Sequence, residues 1–149
     1  MSEVSFYQLH LQPLEVALPK LLARVLEAGL RAVIRVASKE RLDSLDQALW
    51  SEDPDSFLAH GTRDTPQPEN QPIYLTLEED NPGGASVLVL VEGRTASDLT
   101  GYERCLYMFD GRSEDLKKEA RQHWQEFKDA GHDVAYWQQT EAGGWEKKD

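Results

Sequence analysis

RCLYMFDGRSEDLKKEARQHWQEFKDAGHDVAYWQ, residues 104–138, carries the pattern that decides the fold. Its first six residues, 104–109, form an apolar run of the kind found in buried strands. DGRSED then reads as a turn. Leu116, Ala120, Trp124 and Phe127 recur at i, i+4, i+8 and i+11. That spacing predicts a helix over 113–130 whose apolar face is turned toward a sheet. Gly131 is a natural stop for the helix, and DVAYWQ, 133–138, reads as the next strand.

The same alternation extends toward the N-terminus. VSFYQL (4–9) is β-rich and reads as the first strand. Leu14, Ala17, Leu18, Leu21, Leu22, Val25 and Leu26 keep helical spacing up to a stop at Gly29. Pro19 lies inside that pattern, so the helix is expected either to start near Leu18 or to kink. RAVIRVA (31–37) is a second strand, and Ser38 caps a helix running to about Trp50. Leu42, Leu45, Leu49 and Trp50 mark the inner side of that helix.

Residues 51–71 hold Pro54, Pro66, Pro68 and several acids, and read as a long loop. Residues 73–77 form a short strand, EEDNPGG a turn, and VLVLV (87–91) a strand buried on both faces. Residues 95–102 offer at most a short helical turn. The expected architecture is a three-layer α/β/α domain with a mostly parallel central sheet, Rossmann-like but without a nucleotide-binding motif. It spans residues 1–140, followed by a loosely held polar tail, 141–149, in which Trp145 is a candidate anchor.

A chain of 149 residues suits one domain. No basic segment followed by an apolar run opens it and no segment looks like a membrane span, so a cytoplasmic protein is expected. The net charge of −11 argues against strong direct nucleic-acid binding, which needs clustered Lys and Arg to neutralise phosphates. The single cysteine, Cys105, rules out an intramolecular disulfide and reads as a buried structural residue. GxGxxG, GxxxxGK[ST] and GxSxG patterns are absent. His10, His60, His123 and His132 make no paired metal-ligand spacing. No catalytic residue, cofactor or metal is expected.

One grouping remains. Lys117, Arg121 and Lys128 follow the apolar stripe of the last helix one position on, with Gln125 between them. They are either a solvated face with ion pairs to Glu114 and Glu119, or one wall of a groove for an acidic peptide. Trp50, Phe57 and Leu58 form a second unusual grouping, because they surround an acidic, proline-containing loop. They cap the core or form a protein-docking patch.

SFYQL (5–9), ERLDSLDQALW (40–50), DSFLAHG (55–61), CLYMFDG (105–111) and LKKEARQHWQEFKDAGHDVAYW (116–137) together resemble the chi subunit of the bacterial DNA polymerase III holoenzyme. The ending GGWEKKD resembles the family's alphaproteobacterial branch. The resemblance implies a non-catalytic accessory of the clamp-loader complex. It further implies binding of the acidic C-terminal tail of single-stranded DNA-binding protein, a tail that ends in Pro-Phe. The tail site it implies is Lys117, Arg121, Trp124, Gln125, Lys128, Gly131 and Val134; Gln125 departs from a family lysine, a charge that Lys128 can supply. Trp50, Phe57, Leu58 and His60 fall on the implied docking surface for a second partner, the psi subunit or a repair helicase. A small nucleotide-binding α/β enzyme is the rival reading.

Overall fold

The computed structural model describes residues 3–9, 14–36, 38–51, 60–62, 72–77, 81, 84–92, 101–140 and 145–147. For residues 15, 16, 49–51, 60 and 61 it describes the backbone alone. Eight strands and three helices follow in the order β1 (Glu3–Leu9), α1 (Leu14–Glu27), β2 (Ala32–Arg35), α2 (Lys39–Ser51), β3 (His60–Thr62), β4 (Ile73–Thr76), β5 (Val87–Val91), β6 (Arg104–Asp110), α3 (Glu114–Asp129), β7 (Asp133–Gln139) and β8 (Trp145–Lys147). The strands make one sheet in the order β3-β4-β2-β5-β6-β1-β7-β8. All neighbours are parallel except β7 and β8.

The pleat separates two cores, because successive side chains of a strand point to opposite faces. Val87, Val89 and Val91 of β5 join Leu106 and Met108 of β6 beneath α1 and α2. Leu88 and Leu90 join Cys105, Tyr107 and Phe109 on the other face, with Ala120 and Phe127 of α3. Both faces are therefore apolar along the same strand, which explains why VLVLV shows no alternation. This is the three-layer α/β architecture.

α1 runs from Leu14 through a buried Pro19, so of the two outcomes that the proline allowed, a start near Leu18 is not the one taken. Leu14, Ala17, Leu18, Leu21, Leu22 and Val25 all enter the core. That burial outweighs the backbone hydrogen bond that proline cannot donate. Ser38 caps α2, its Oγ accepting from the Arg41 N–H at 3.2 Å. Leu45 is buried and Leu42 packs against the core, as the inner face required; the side chains of Leu49 and Trp50 lie outside the described residues.

Two short strands do not appear in the sequence reading. His60–Thr62 pairs with β4 at one edge of the sheet, inside a segment expected to be loop. Trp145–Lys147 pairs with β7 at the other edge, inside the expected loose tail. Trp145 is indeed an anchor, packing edge-on against Tyr7 at 5.1 Å. The turn expected at 95–102 lies mostly outside the described residues.

Gly111 joins β6 to α3 and needs to be a glycine. A Cβ there would lie 2.4 Å from the buried Gln8 side chain. Gly111→Ala is expected to lower stability by about 1–3 kcal/mol through overpacking, read as a shift of the urea midpoint with an unchanged slope.

Candidate functional site

The helix–strand corner formed by α3 and β7 is built from local rules. Ser113 caps α3 by accepting from the Leu116 N–H at 3.3 Å, and Glu114 and Asp115 complement the positive end of the helix dipole. At the other end, Gly131 takes a positive φ of 91°. Its N–H donates to the Lys128 carbonyl at 3.1 Å, and the His132 N–H donates to the Phe127 carbonyl at 3.2 Å. This pair of bonds is a Schellman motif. It turns the chain straight into β7 and sets the end of α3 against the start of that strand.

An open cleft of about 490 Å³ lies at this corner, lined by Trp124, Lys128, His132, Asp133 and Val134. Ala120 and Phe127 are buried, whereas Leu116 and Trp124 are only partly covered. Trp124 therefore stands at the rim of the apolar face, with one side against protein and the other toward the cleft. Its ring meets Phe6 at 5.5 Å and Tyr136 at 5.8 Å, both edge-on. The Tyr136 hydroxyl donates to Gln8 Oε1, which fixes the ring behind the tryptophan.

Charge is arranged unevenly around the cleft. Lys117, Arg121, Trp124 and Lys128 follow i, i+4, i+7 and i+11 along one stripe of α3. Lys117 makes a loose pair with Glu114 at 3.9 Å. Among the described residues, Arg121 and Lys128 have no ion-pair partner. Two carboxylates of the same helix are engaged by amides: Gln125 Nε2 donates to Asp129 at 2.8 Å, and Gln122 Nε2 donates to Glu126 at 3.4 Å. Burial raises the Tyr136 phenol above its ordinary pKa, and the positive charge of Arg121 draws it partly back.

Of the residues singled out in the sequence for an acidic peptide, Trp124, Lys128 and Val134 line the cleft and Gly131 makes its corner, while Arg121 lies on the same stripe of α3 outside the lining. Lys117 lies further up the stripe, and Gln125 turns to Asp129. His132 and Asp133, which line the cleft, were missed. Their signal was positional, since they immediately follow the helix stop. At the second grouping, Trp50 lies in the last turn of α2 and His60 opens β3. His60 is therefore a strand residue at the sheet edge and not part of a loop. Phe57, Leu58 and the side chains of Trp50 and His60 lie outside the described residues.

In open parallel sheets, ligands bind beyond the C-terminal strand ends, where neighbouring strands send their helices to opposite faces. Here that point falls between β1 and β6, and a recess of about 170 Å³ lies there. Glu92 and Asp110 are in its lining. Arg41 Nε donates to Glu92 at 2.8 Å, and Arg112 Nε donates to Asp110 at 3.0 Å. Two carboxylates and an acidic first helical turn make poor surroundings for a phosphate. Among the described residues, no three His, Cys, Asp or Glu side chains converge as a metal site.

Cys105 is fully buried in mid-strand, and burial pushes its thiol up to about 12. Because the thiolate is the reactive form, the native protein is expected to resist iodoacetamide at pH 8 and to react on denaturation, as read by mass spectrometry.

Comparison with known proteins then identifies the family. The model of the DNA polymerase III chi subunit family, HolC, matches residues 1–135. The chain belongs to the DNA polymerase III chi subunit family. A DNA polymerase III subunit chi from Rickettsia prowazekii (strain Madrid E) is 32% identical over 91 residues, covering 61% of this chain and 55% of that protein. The chain thus aligns with about half the length of this curated relative. The family match ends within β7, so the cleft lies inside the matched region and β8 outside it. No helix among the described residues is long and apolar enough to cross a membrane.

Proposed function

We propose that this chi-family protein is a non-catalytic accessory subunit of the DNA polymerase III holoenzyme. It binds the acidic C-terminal tail of single-stranded DNA-binding protein in the α3–β7 cleft, and so links the clamp-loader complex to the coated strand. The carrying observation is that Lys128, without an ion-pair partner among the described residues, lines a cleft beside the half-buried Trp124, with Arg121, likewise without an ion-pair partner among the described residues, on the same stripe of α3. Two acids of the same helix, Glu126 and Asp129, accept hydrogen bonds from glutamines.

The division of labour follows from the side chains. Arg121 and Lys128 pair with the tail's aspartates and terminal carboxylate. The tail phenylalanine packs against Trp124 and Val134. Lys128 supplies the charge that Gln125 does not. Asp133 opposes part of this attraction, so affinity rests on the apolar anchor as well as on charge. Because the cations are exposed, binding weakens as salt rises. The acidic remainder of the surface keeps DNA contact indirect.

The test is a titration with a labelled acidic peptide ending in Pro-Phe, beside the same peptide lacking its last residue. The full peptide is expected to bind more tightly; equal binding of both would sink the cleft assignment. A second partner, the psi subunit or a repair helicase, is assigned to Trp50, Phe57, Leu58 and His60. Pull-down with Phe57→Ala should lose that partner and keep single-stranded DNA-binding protein.

A further inference from the structure

One row of β1 breaks its own pattern. Val4 and Phe6 sit in the α3-side core, and Gln8 follows them on the same face of the strand. Val4 and Phe6 are fully buried, and Gln8 is only 8% exposed. A buried amide costs free energy unless its polar groups find partners. A leucine would fill the same place without that cost. Gln8 is therefore a polar choice at an apolar position, and its surroundings show what it does there.

Its amide oxygen accepts from the Tyr136 hydroxyl. From behind, Gly111 leaves the space in which the amide lies, since a Cβ there would stand 2.4 Å from both Gln8 Cγ and Nε2. The side chain is thus set between the β6–α3 corner and a ring of β7. That ring and Phe6 meet Trp124 edge-on, at 5.8 and 5.5 Å. Phe6 is fixed by its own burial. Tyr136 is only half-buried, on the strand that carries the cleft residues Asp133 and Val134, and its hydroxyl gives it a second point of attachment. The helix that carries Trp124 is tied to β6 separately, by the hydrogen bond between the Tyr107 hydroxyl and His123 Nδ1 at 2.6 Å.

We propose that Gln8 is a positioning residue of the tail site: through the Tyr136 hydroxyl it fixes the angle at which Trp124 meets the apolar end of the ligand. This role rests on the tail-binding reading above and deepens it by naming what selects the terminal residue. Gln8 lies outside the cleft lining and acts only through the two rings. A wall held in place before binding leaves less ordering to be done on binding. The benefit falls on the apolar anchor and leaves the contacts of Lys128 and Arg121 with carboxylates unchanged.

The experiment is a calorimetric titration of the full chain with the acidic Pro-Phe peptide and with the same peptide lacking its last residue. Gln8→Leu is expected to weaken the full peptide by about three- to tenfold, the range for one hydrogen bond, and to leave the truncated peptide unchanged. A loss of fold integrity alone would weaken both alike. The double variant Gln8→Leu/Tyr136→Phe removes donor and acceptor together, so its urea midpoint should lie near that of the native chain while its preference for the full peptide stays low. It also serves if Gln8→Leu does not fold. A native preference for the full peptide in either variant, or an equal loss for both peptides, overturns the positioning role and leaves the tail-binding reading standing. If the native chain itself binds both peptides equally, both readings fall.

Discussion

Arg121→Ala weakens binding of the acidic tail by about 1–3 kcal/mol, or roughly 5- to 150-fold in Kd. This is the expected result of removing a charge-assisted donor that has no internal partner to leave stranded. Arg121 is exposed and unpaired among the described residues, so thermal stability should hardly move. The loss should shrink as salt rises, because part of the guanidinium's contribution is screened. Lys117→Ala should cost less, since its charge is already shared with Glu114. Titration of both variants at low and high salt checks the order. An unchanged Kd for Arg121→Ala would remove this guanidinium from the mechanism.

Phe6→Ala has the largest expected effect on stability, about 3–5 kcal/mol. Phe6 is fully buried. It stacks on Tyr107 at 4.4 Å and meets Trp124, Phe127 and Tyr136 at 5.5, 6.2 and 6.4 Å. A single truncation therefore removes a ring from the centre of four others. Denaturant unfolding checks the magnitude. Trp124 also leans on Phe6, so the variant should bind the tail more weakly even where it stays folded. Normal tail affinity in a clearly destabilised variant would show that the position of Trp124 does not depend on this support.

Much of the fold was legible because periodicity reports burial. The face of α3, the uniform apolar run of β5 and the stop at Gly131 each follow from one physical rule, and each stands where expected. What escaped was structure made by backbone pairing alone. His60–Thr62 and Trp145–Lys147 are three-residue strands without an apolar run; their neighbours in the sheet, β4 and β7, define them. Strand order was equally invisible, since β1 lies between β6 and β7 by long-range pairing. Pro19 left the start of α1 open, and the burial of a whole helix face from Leu14 onward decided it.

The candidate site was half legible. The stripe of Lys117, Arg121, Trp124 and Lys128 could be counted along the helix, but which of its charges were paired could not. That distinction depends on Gln122 and Gln125 reaching Glu126 and Asp129. Trp124 also looked like an ordinary inner-face residue, whereas its partial exposure makes it a rim. The contribution of β7 to the cleft appears only when the Schellman turn brings Asp133 and Val134 beside Lys128.

Backbone and indole amide shifts of the labelled protein, followed during titration with the acidic Pro-Phe peptide, test the tail-binding site most directly. The expected result is a contiguous set of shifts at Arg121, the Trp124 indole, Lys128, His132 and residues 133–136, with β5 and α1 unmoved. Shifts centred elsewhere, or none at saturating peptide, would contradict it.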